Sequence, residues 1–337
     1  MIVIIFHTHN SFYISSYSIL SHSLQEGKSH SGDHAQHIFR VLSLEGGGVR
    51  SIVQVVILSR IIAKYPTFLD GTSLFCGCSS SSFVVFLILC GYPLQTIIEL
   101  MEEMLTKTLK KTETNGIRSS KFRTEWMHVF CDMLFGNLRM KDLQRRALVP
   151  AYRLDNKASS PEERKGETVL FNNFSSDTTD DTRLTDVCLR SCAVPTYFHP
   201  HQGYVDCRVF GNNPSFCAWP LVFGAQPQGL AIPPGKTVCL DIGNGYGYKR
   251  FMDEDKLGDG GLCQWNLSVI DVLHSSSQSF ADQAGKLYLG DRYFRFFPFI
   301  REDYIRMDDW KYLQELKDFA LTCNLNPLFV WIEKHWL

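Results

Sequence analysis

The sequence predicts an α/β fold built on a mostly parallel sheet with helices on both faces. Three observations carry that expectation. From His37 onward, apolar runs of strand length alternate with longer segments of helical periodicity. The first such run, IFRVLSL, passes directly into a glycine turn, EGGGVR, residues 45–50. A second apolar stretch ends in GCSSSS, residues 77–82, before another apolar segment begins. Strand, turn and helix, repeated, is how an α/β layer opens.

The elements follow in order. IFRVLSL reads as a strand, and VRSIVQVVILSRIIAKY carries apolar residues at helical intervals until Pro66 stops it. Leu74 to Cys76 is a short strand, and Phe83 to Cys90 continues past the serines as a buried helix. PLQTIIELMEEML is amphipathic, and residues 119–135 form another helix. ALVPAYRL and TVLFNNF are strands separated by the polar excursion DNKASSPEERKGE, an exposed loop or hairpin. RLTDVCLRSCAVPTYF reads as a helix stopped at Pro195, and KTVCLDIG as a strand ending in GNGYG. Helices at about 265–289, 309–322 and 325–336 complete the layer. A single domain over 37–337 follows, preceded by an extension, 1–36, whose serine and histidine content reads as disordered.

Composition narrows the function. The 34 basic and 35 acidic side chains are interspersed, without the polybasic tract that grips a phosphate backbone, so nucleic acid is not an expected partner. No apolar run is long enough to cross a bilayer as a helix. The opening MIVIIF is short and lacks a basic start, so no signal peptide is expected. Eleven cysteines without C-x-x-C pairs imply free, mostly buried thiols in a reducing, cytoplasmic setting. Cys76/Cys78 and Cys188/Cys192 lack zinc-finger spacing, and no metal or other cofactor is expected.

Three segments carry the chemistry. Successive glycines Gly46, Gly47 and Gly48 after a strand free backbone N–H groups to face a ligand. A dinucleotide fingerprint would need glycine at Ser51, and a phosphate loop would need G-K-[ST]; neither is present. An oxyanion hole remains, and it needs a nucleophile. Ser79, in Gly77-Cys78-Ser79-Ser80-Ser81, stands where the G-x-S-x-G elbow exposes its serine, although the second glycine is missing. A serine there can equally cap the following helix. In YVDCRVFGNNP, Asp206 stands among apolar residues ahead of a turn-forming Asn-Asn-Pro. It could be a turn residue, or a base for the serine if its surroundings raise its pKa.

Together these segments resemble the patatin-like phospholipase family. EGGGVR is similar to the family's D-G-G-G-x-R, with Glu45 in place of aspartate and Arg50 retained. GCSSS stands for G-x-S-x-G, and VDCRVFGNNP for D-G-G or D-G-A followed by N-N-P. SCAVPTYF resembles A-A-P-x-Y-F, VCLDIGNG the S-x-G-T-G strand end, and GYPLQTIIELMEEM the helix after the elbow, in order from Phe39 to Gly247. The resemblance implies a three-layer α/β/α sandwich and a metal-independent lipid acyl hydrolase of phospholipase A type. Ser79 would be its nucleophile, Asp206 its general base, and the amides of Gly46, Gly47 and Gly48 its oxyanion hole. Arg50 would position the loop or meet a substrate head group. The implied partner is a phospholipid or other glycerolipid, at a peripheral membrane surface.

The chain departs from the family where glycine is lost at Ser51, Ser81, Cys207 and Arg208. Arg208 could also lower the pKa of Asp206 and weaken it as a base. Two alternatives therefore accompany the reading. One keeps the fold as a catalytically impaired lipid-binding protein. The other is an α/β-hydrolase triad of Ser79, Asp206 or Asp241, and His274 or His335.

Overall fold

A computed structural model describes residues 2–8, 11–17, 38–110, 119–175, 178–246, 265, 268–301 and 306–337. It divides into two units, Met1–His37 and Ile38–Leu337. In the first, β1 (Ile2–Thr8) and β2 (Ser11–Tyr17) pair antiparallel, with Ile2 opposite Tyr17 and Thr8 opposite Ser11.

The second unit is built on one sheet. β3 (Phe39–Leu44) runs through the glycine turn into α1 (Ser51–Lys64). β4 (Leu74–Gly77) runs through Cys78 and Ser79 into α2 (Ser80–Leu89), followed by α3 (Leu94–Lys110) and α4 (Glu125–Phe135). β5 (Arg146–Arg153), β6 (Glu167–Asn172), α5 (Leu184–Cys192) and β7 (Tyr204–Asp206) come next. Then follow α6 (Pro214–Phe223), β8 (Thr237–Ile242), α7 (Ser268–Leu289), β9 (Tyr293–Phe296), α8 (Leu313–Thr322) and α9 (Asn326–His335). The strand order is β6-β5-β4-β3-β8-β9, with β7 also paired to β5. All pairings from β5 to β9 across β4, β3 and β8 are parallel; β6 and β7 run antiparallel to β5.

Strand residues alternate between two cores, as the pleat requires. Leu42, Leu44, Phe75, Val149 and Leu240 face a large core filled by α1 to α5, α8 and α9. Val41, Leu74, Cys76, Leu148 and Cys239 face a smaller one with Trp219 and Val222 of α6 and Leu289 of α7. The architecture is the α/β/α sandwich expected. α2 has no polar face past its serines, and Phe83 to Leu87 are all fully buried, as a helix apolar all round must be.

The structure differs from the sequence expectation in several places, beginning with the extension expected to be disordered, which carries the paired strands β1 and β2. The helix expected from residue 119 begins at Glu125, because the Lys121 and Phe122 amides donate to the carbonyls of Thr196 and Tyr197 instead. Cys78 and Cys207 form a disulfide, against the expectation that all the thiols are free. Cys76, Cys90, Cys131, Cys188, Cys192, Cys217, Cys239 and Cys323 are unpaired. No helix among the described residues is long and apolar enough to cross a membrane.

Candidate active site

The register of β5 explains how distant segments meet. Its first half pairs with β4, Cys76 opposite Leu148, and β4 then stops at Gly77. Its second half, left without that neighbour, takes β7 from the opposite direction, with Asp206 opposite Ala151. The end of β7 is therefore brought towards the end of β4, and Asp206 towards Ser79.

Ser79 sits at the apex of the β4–α2 turn with φ 55° and ψ −132°. A non-glycine residue at positive φ costs about 1–2 kcal/mol, so its surroundings must hold it there. Its N–H donates to the Ser191 hydroxyl at 2.9 Å, and Ser191 in turn donates to the Pro150 carbonyl at 2.9 Å. Its carbonyl accepts from the Ser82 amide (2.9 Å) and hydroxyl (2.6 Å). Gly77 must be glycine, since a Cβ there would lie 2.7 Å from the Ser81 carbonyl oxygen.

The remaining serines stitch two helices together. Ser80 shares a hydrogen bond with Ser51, at the start of α1. Ser81 lies within hydrogen-bond reach of the Glu45 carbonyl (2.8 Å) and Gln54 Oε1 (2.7 Å). Ser51 and Ser81, where the family has glycine, are thus each buried and hydrogen-bonded between α1 and α2. Neither they nor Cys207 and Arg208 have positive φ. The lost glycines are not conformational requirements of this backbone.

The glycine turn lies against the serine. A Cβ on Gly46 would lie 2.9 Å from Ser79 Cβ. The Gly46 amide already donates to the Asn212 carbonyl at 3.2 Å, and the Gly46 carbonyl accepts from the side chains of Asn212 and Asn244. The Val49 amide donates to Met307 O at 2.9 Å. Among the described residues the amides of Gly47 and Gly48, unlike that of Gly46, have no hydrogen-bond partner. Gly48 is held at φ +57°, where a Cβ would collide with the Met307 carbonyl.

Asp206 is fully buried. Its amide donates to the Ala193 carbonyl at 3.0 Å, so the end of α5 holds both Ser79 and Asp206. Its Oδ1 accepts from the Arg208 amide at 2.7 Å, and its Oδ2 has no fully formed hydrogen bond. Burial pushes its pKa up to about 6, against the opposing pull of the nearby Ser79 hydroxyl, the Arg208 amide and the Arg208 charge. Arg208 does lower it, as the sequence suggested, but burial wins.

Arg50 meets surroundings other than those expected of a substrate contact. It is buried, donates to the Gly245 carbonyl at 3.1 Å, and so ties the glycine turn to the chain beyond β8. Burial, with Arg208 nearby, lowers its pKa to about 10. Beneath the turn, the Glu45 carboxylate accepts from Arg295 Nε (2.6 Å) and Gln278 Nε2 (2.9 Å). Asp241 accepts from Asn213, Ser215 and Tyr293. His335 faces Asp291 and Trp331, neither of which lines the Ser79 cleft, and the His274 side chain is outside the described residues.

Ser79 opens onto a narrow apolar cleft of about 40 Å³, whose walls include Met104, Leu109, Met127, Val194 and Phe198. Sequence reasoning missed Ser191 and the Cys78–Cys207 pair. Ser191 lies within the SCAVPTYF echo, which marked the segment but gave no role to that hydroxyl.

The chain is 23% identical to protein Teg of Priestia megaterium over 325 residues, 88% of this chain and 99% of that one. It is 22% identical to CotR of Bacillus subtilis over 325 residues, 88% and 98% of the respective chains. Identity to a cGAMP-activated phospholipase of Escherichia coli is 25% over 228 residues, 60% of this chain and 61% of that one. The profile of the patatin-like phospholipases matches residues 42–215, more than half of the chain, and this protein belongs to that family.

Proposed function

We propose that the protein is a lipid acyl hydrolase of phospholipase A type, with Ser79 as nucleophile and Asp206 as general base. One observation supports it above the others. Ser79 is held at positive φ at the mouth of an apolar cleft, packed against the glycine turn with its two unpartnered amides and close to Asp206, whose Oδ2 has no fully formed hydrogen bond.

Ser79 Oγ attacks the ester carbonyl and passes its proton to Asp206 Oδ2. The tetrahedral oxyanion faces the amides of Gly47 and Gly48, fixed donors that need no rearrangement as charge develops. Asp206 returns the proton to the leaving alcohol of the glycerolipid. Water then attacks the acyl-enzyme, gives a proton to Asp206, and releases the fatty acid as Ser79 recovers its hydrogen. The apolar walls of the narrow cleft suit an acyl chain, and Arg50 serves as a positioning residue for the glycine turn.

The test is labelling by a serine-directed fluorophosphonate alongside hydrolysis of phosphatidylcholine vesicles. Wild type should label on Ser79 and release fatty acid, and Ser79→Ala should do neither while remaining folded by circular dichroism. A folded wild type that binds vesicles but neither labels nor hydrolyses would instead identify a lipid-binding member of the family.

A further inference from the structure

The disulfide has a position that the scheme above does not use. Cys78 immediately precedes Ser79, and Cys207 immediately follows Asp206. Both cysteines are fully buried, with Cα atoms 6.5 Å apart and 129 residues between them in sequence.

β4 and β7 share no ladder of hydrogen bonds; each pairs with β5 along a different half of it. The ties from Ser79 to Ser191 and from Asp206 to Ala193 both run through a third element, the end of α5. Among the described residues the disulfide is the covalent link between the serine turn and the aspartate turn. It closes over the same place: Ser191 Oγ lies 4.0 Å from Cys207 Sγ.

We propose that the Cys78–Cys207 disulfide is a positioning brace for the dyad, fixing the separation of nucleophile and base. The inference rests on the functional reading of Ser79 and Asp206. Its burial makes it a constitutive part of the site, since a reductant reaches it only when the fold opens. A misplacement of about 1 Å can cost on the order of a hundredfold in rate, because the base must meet the serine proton along one line. Loss of the brace therefore acts on turnover, while the cleft that binds the acyl chain is unchanged.

The experiment begins with the full chain, unfolded without reductant, alkylated and digested. A Cys78–Cys207 cross-linked peptide is expected, and alkylation of both residues would overturn the proposal. Fluorophosphonate labelling and hydrolysis of a p-nitrophenyl ester are then compared for wild type, Cys78→Ser, Cys207→Ser and the double variant. Each variant should lose on the order of tenfold to a hundredfold in kcat with KM nearly unchanged, and the double should match the singles, because all remove one bond. Variants as fast as wild type would overturn it.

Should the variants fail to fold, wild type is titrated with dithiothreitol in mild urea. The reagent gives two electrons and two protons to the disulfide, yielding two thiols and its own cyclic disulfide. Activity should fall in step with the two thiols and return on reoxidation. Full activity with both thiols free would overturn the brace. If wild type labels on Ser79 but the variants label equally fast, the brace alone falls. If wild type fails to label, the functional reading falls and takes the brace with it.

Discussion

Asp206 and Asp241 are both fully buried aspartates near strand ends, and burial raises the pKa of each, yet their surroundings differ. Asp206 has a single hydrogen-bonding anchor, the Arg208 amide, and keeps Oδ2 uncommitted beside a strained serine. On Asp241, Oδ2 alone collects the Asn213 amide, the Ser215 hydroxyl and the Tyr293 hydroxyl at 3.0 Å. Asp241 also lies in the field of Glu45, with Arg295 as the counter-charge, so one cation faces two carboxylates and Asp241 holds its proton more tightly. A raised pKa therefore does not identify a catalytic acid or base. Each carboxylate keeps one oxygen without a hydrogen-bond partner, Oδ2 of Asp206 and Oδ1 of Asp241, so the distinguishing feature is the neighbourhood: a serine that opens onto a cleft at Asp206, a wholly interior network at Asp241.

Exchange of each carboxylate for its amide should separate the two regions most. Asp206→Asn removes the base and should lower turnover by about a hundredfold to ten-thousandfold with the fold intact. Asp241→Asn should keep most of the turnover, since its partners are structural. Steady-state hydrolysis of one ester substrate by both variants checks this, and equal losses would erase the distinction.

The pH profile sharpens it. Asp206 must be ionised to accept a proton, so kcat/KM should rise with pH through about 6 and level off above it. The charged groups facing it are few: Arg208 carries the charge, and the Cys192 thiol is kept neutral by burial. Stability runs the other way. A carboxyl whose folded pKa exceeds its unfolded value favours the folded state below the unfolded pKa, and that contribution is lost as pH rises through the folded one. With about 6 against 3.8, the loss amounts to about 3 kcal/mol at neutral pH. Asp206→Asn should therefore gain denaturant resistance at pH 8 relative to pH 4.5, measured against wild type, while losing activity. A flat difference between the two pH values would mean that Asp206 titrates normally.

Much of this was legible in the sequence. The apolar runs of β3, β4, β5, β6 and β8 and the helical periodicity of α1 and α3 are local signals, and so are the glycine turn and the elbow. β7 is three residues long and exists only because β4 ends early beside β5. β9, YFRF, is four residues with an arginine whose partner, Glu45, is distant in sequence. α6 has Pro220 in its interior, which argues against a helix by local rules. Ser191 and the Cys78–Cys207 bond were hidden for the same reason: their meaning lies in contacts that the chain makes only after folding.

Ser191→Ala is the next smaller effect. The hydroxyl accepts the Ser79 amide at 2.9 Å, and its loss leaves a buried N–H unpaired at a strained residue, costing about 1–3 kcal/mol of stability. It should also loosen Ser79 and lower kcat more than it changes KM, by about tenfold. The same truncation at Ser215, beside Asp241, should cost stability without that loss in kcat. Thermal melts with kinetics on both variants would show whether the hydroxyls divide as their aspartates do.

The smallest expected effect lies on the seam between the two regions. Ser81 lies 2.8 Å from the Glu45 carbonyl and 2.7 Å from Gln54 Oε1, and its single proton serves one acceptor at a time. It therefore joins α2 to the residue whose carboxylate belongs to the Asp241 network. Glycine at this position, as in the family pattern, would relieve no strain, because Ser81 is helical and not at positive φ. Ser81→Gly should instead cost about 1–2 kcal/mol, from the helix penalty of glycine and one lost buried hydrogen bond. Turnover should stay level or fall slightly, since Ser79 keeps its tie to Ser191. A rise in turnover would show that the serine distorts the elbow after all. A fall as large as that of Ser191→Ala would show that the Asp241 side reaches the nucleophile through this hydroxyl, so that the two aspartates work as one unit.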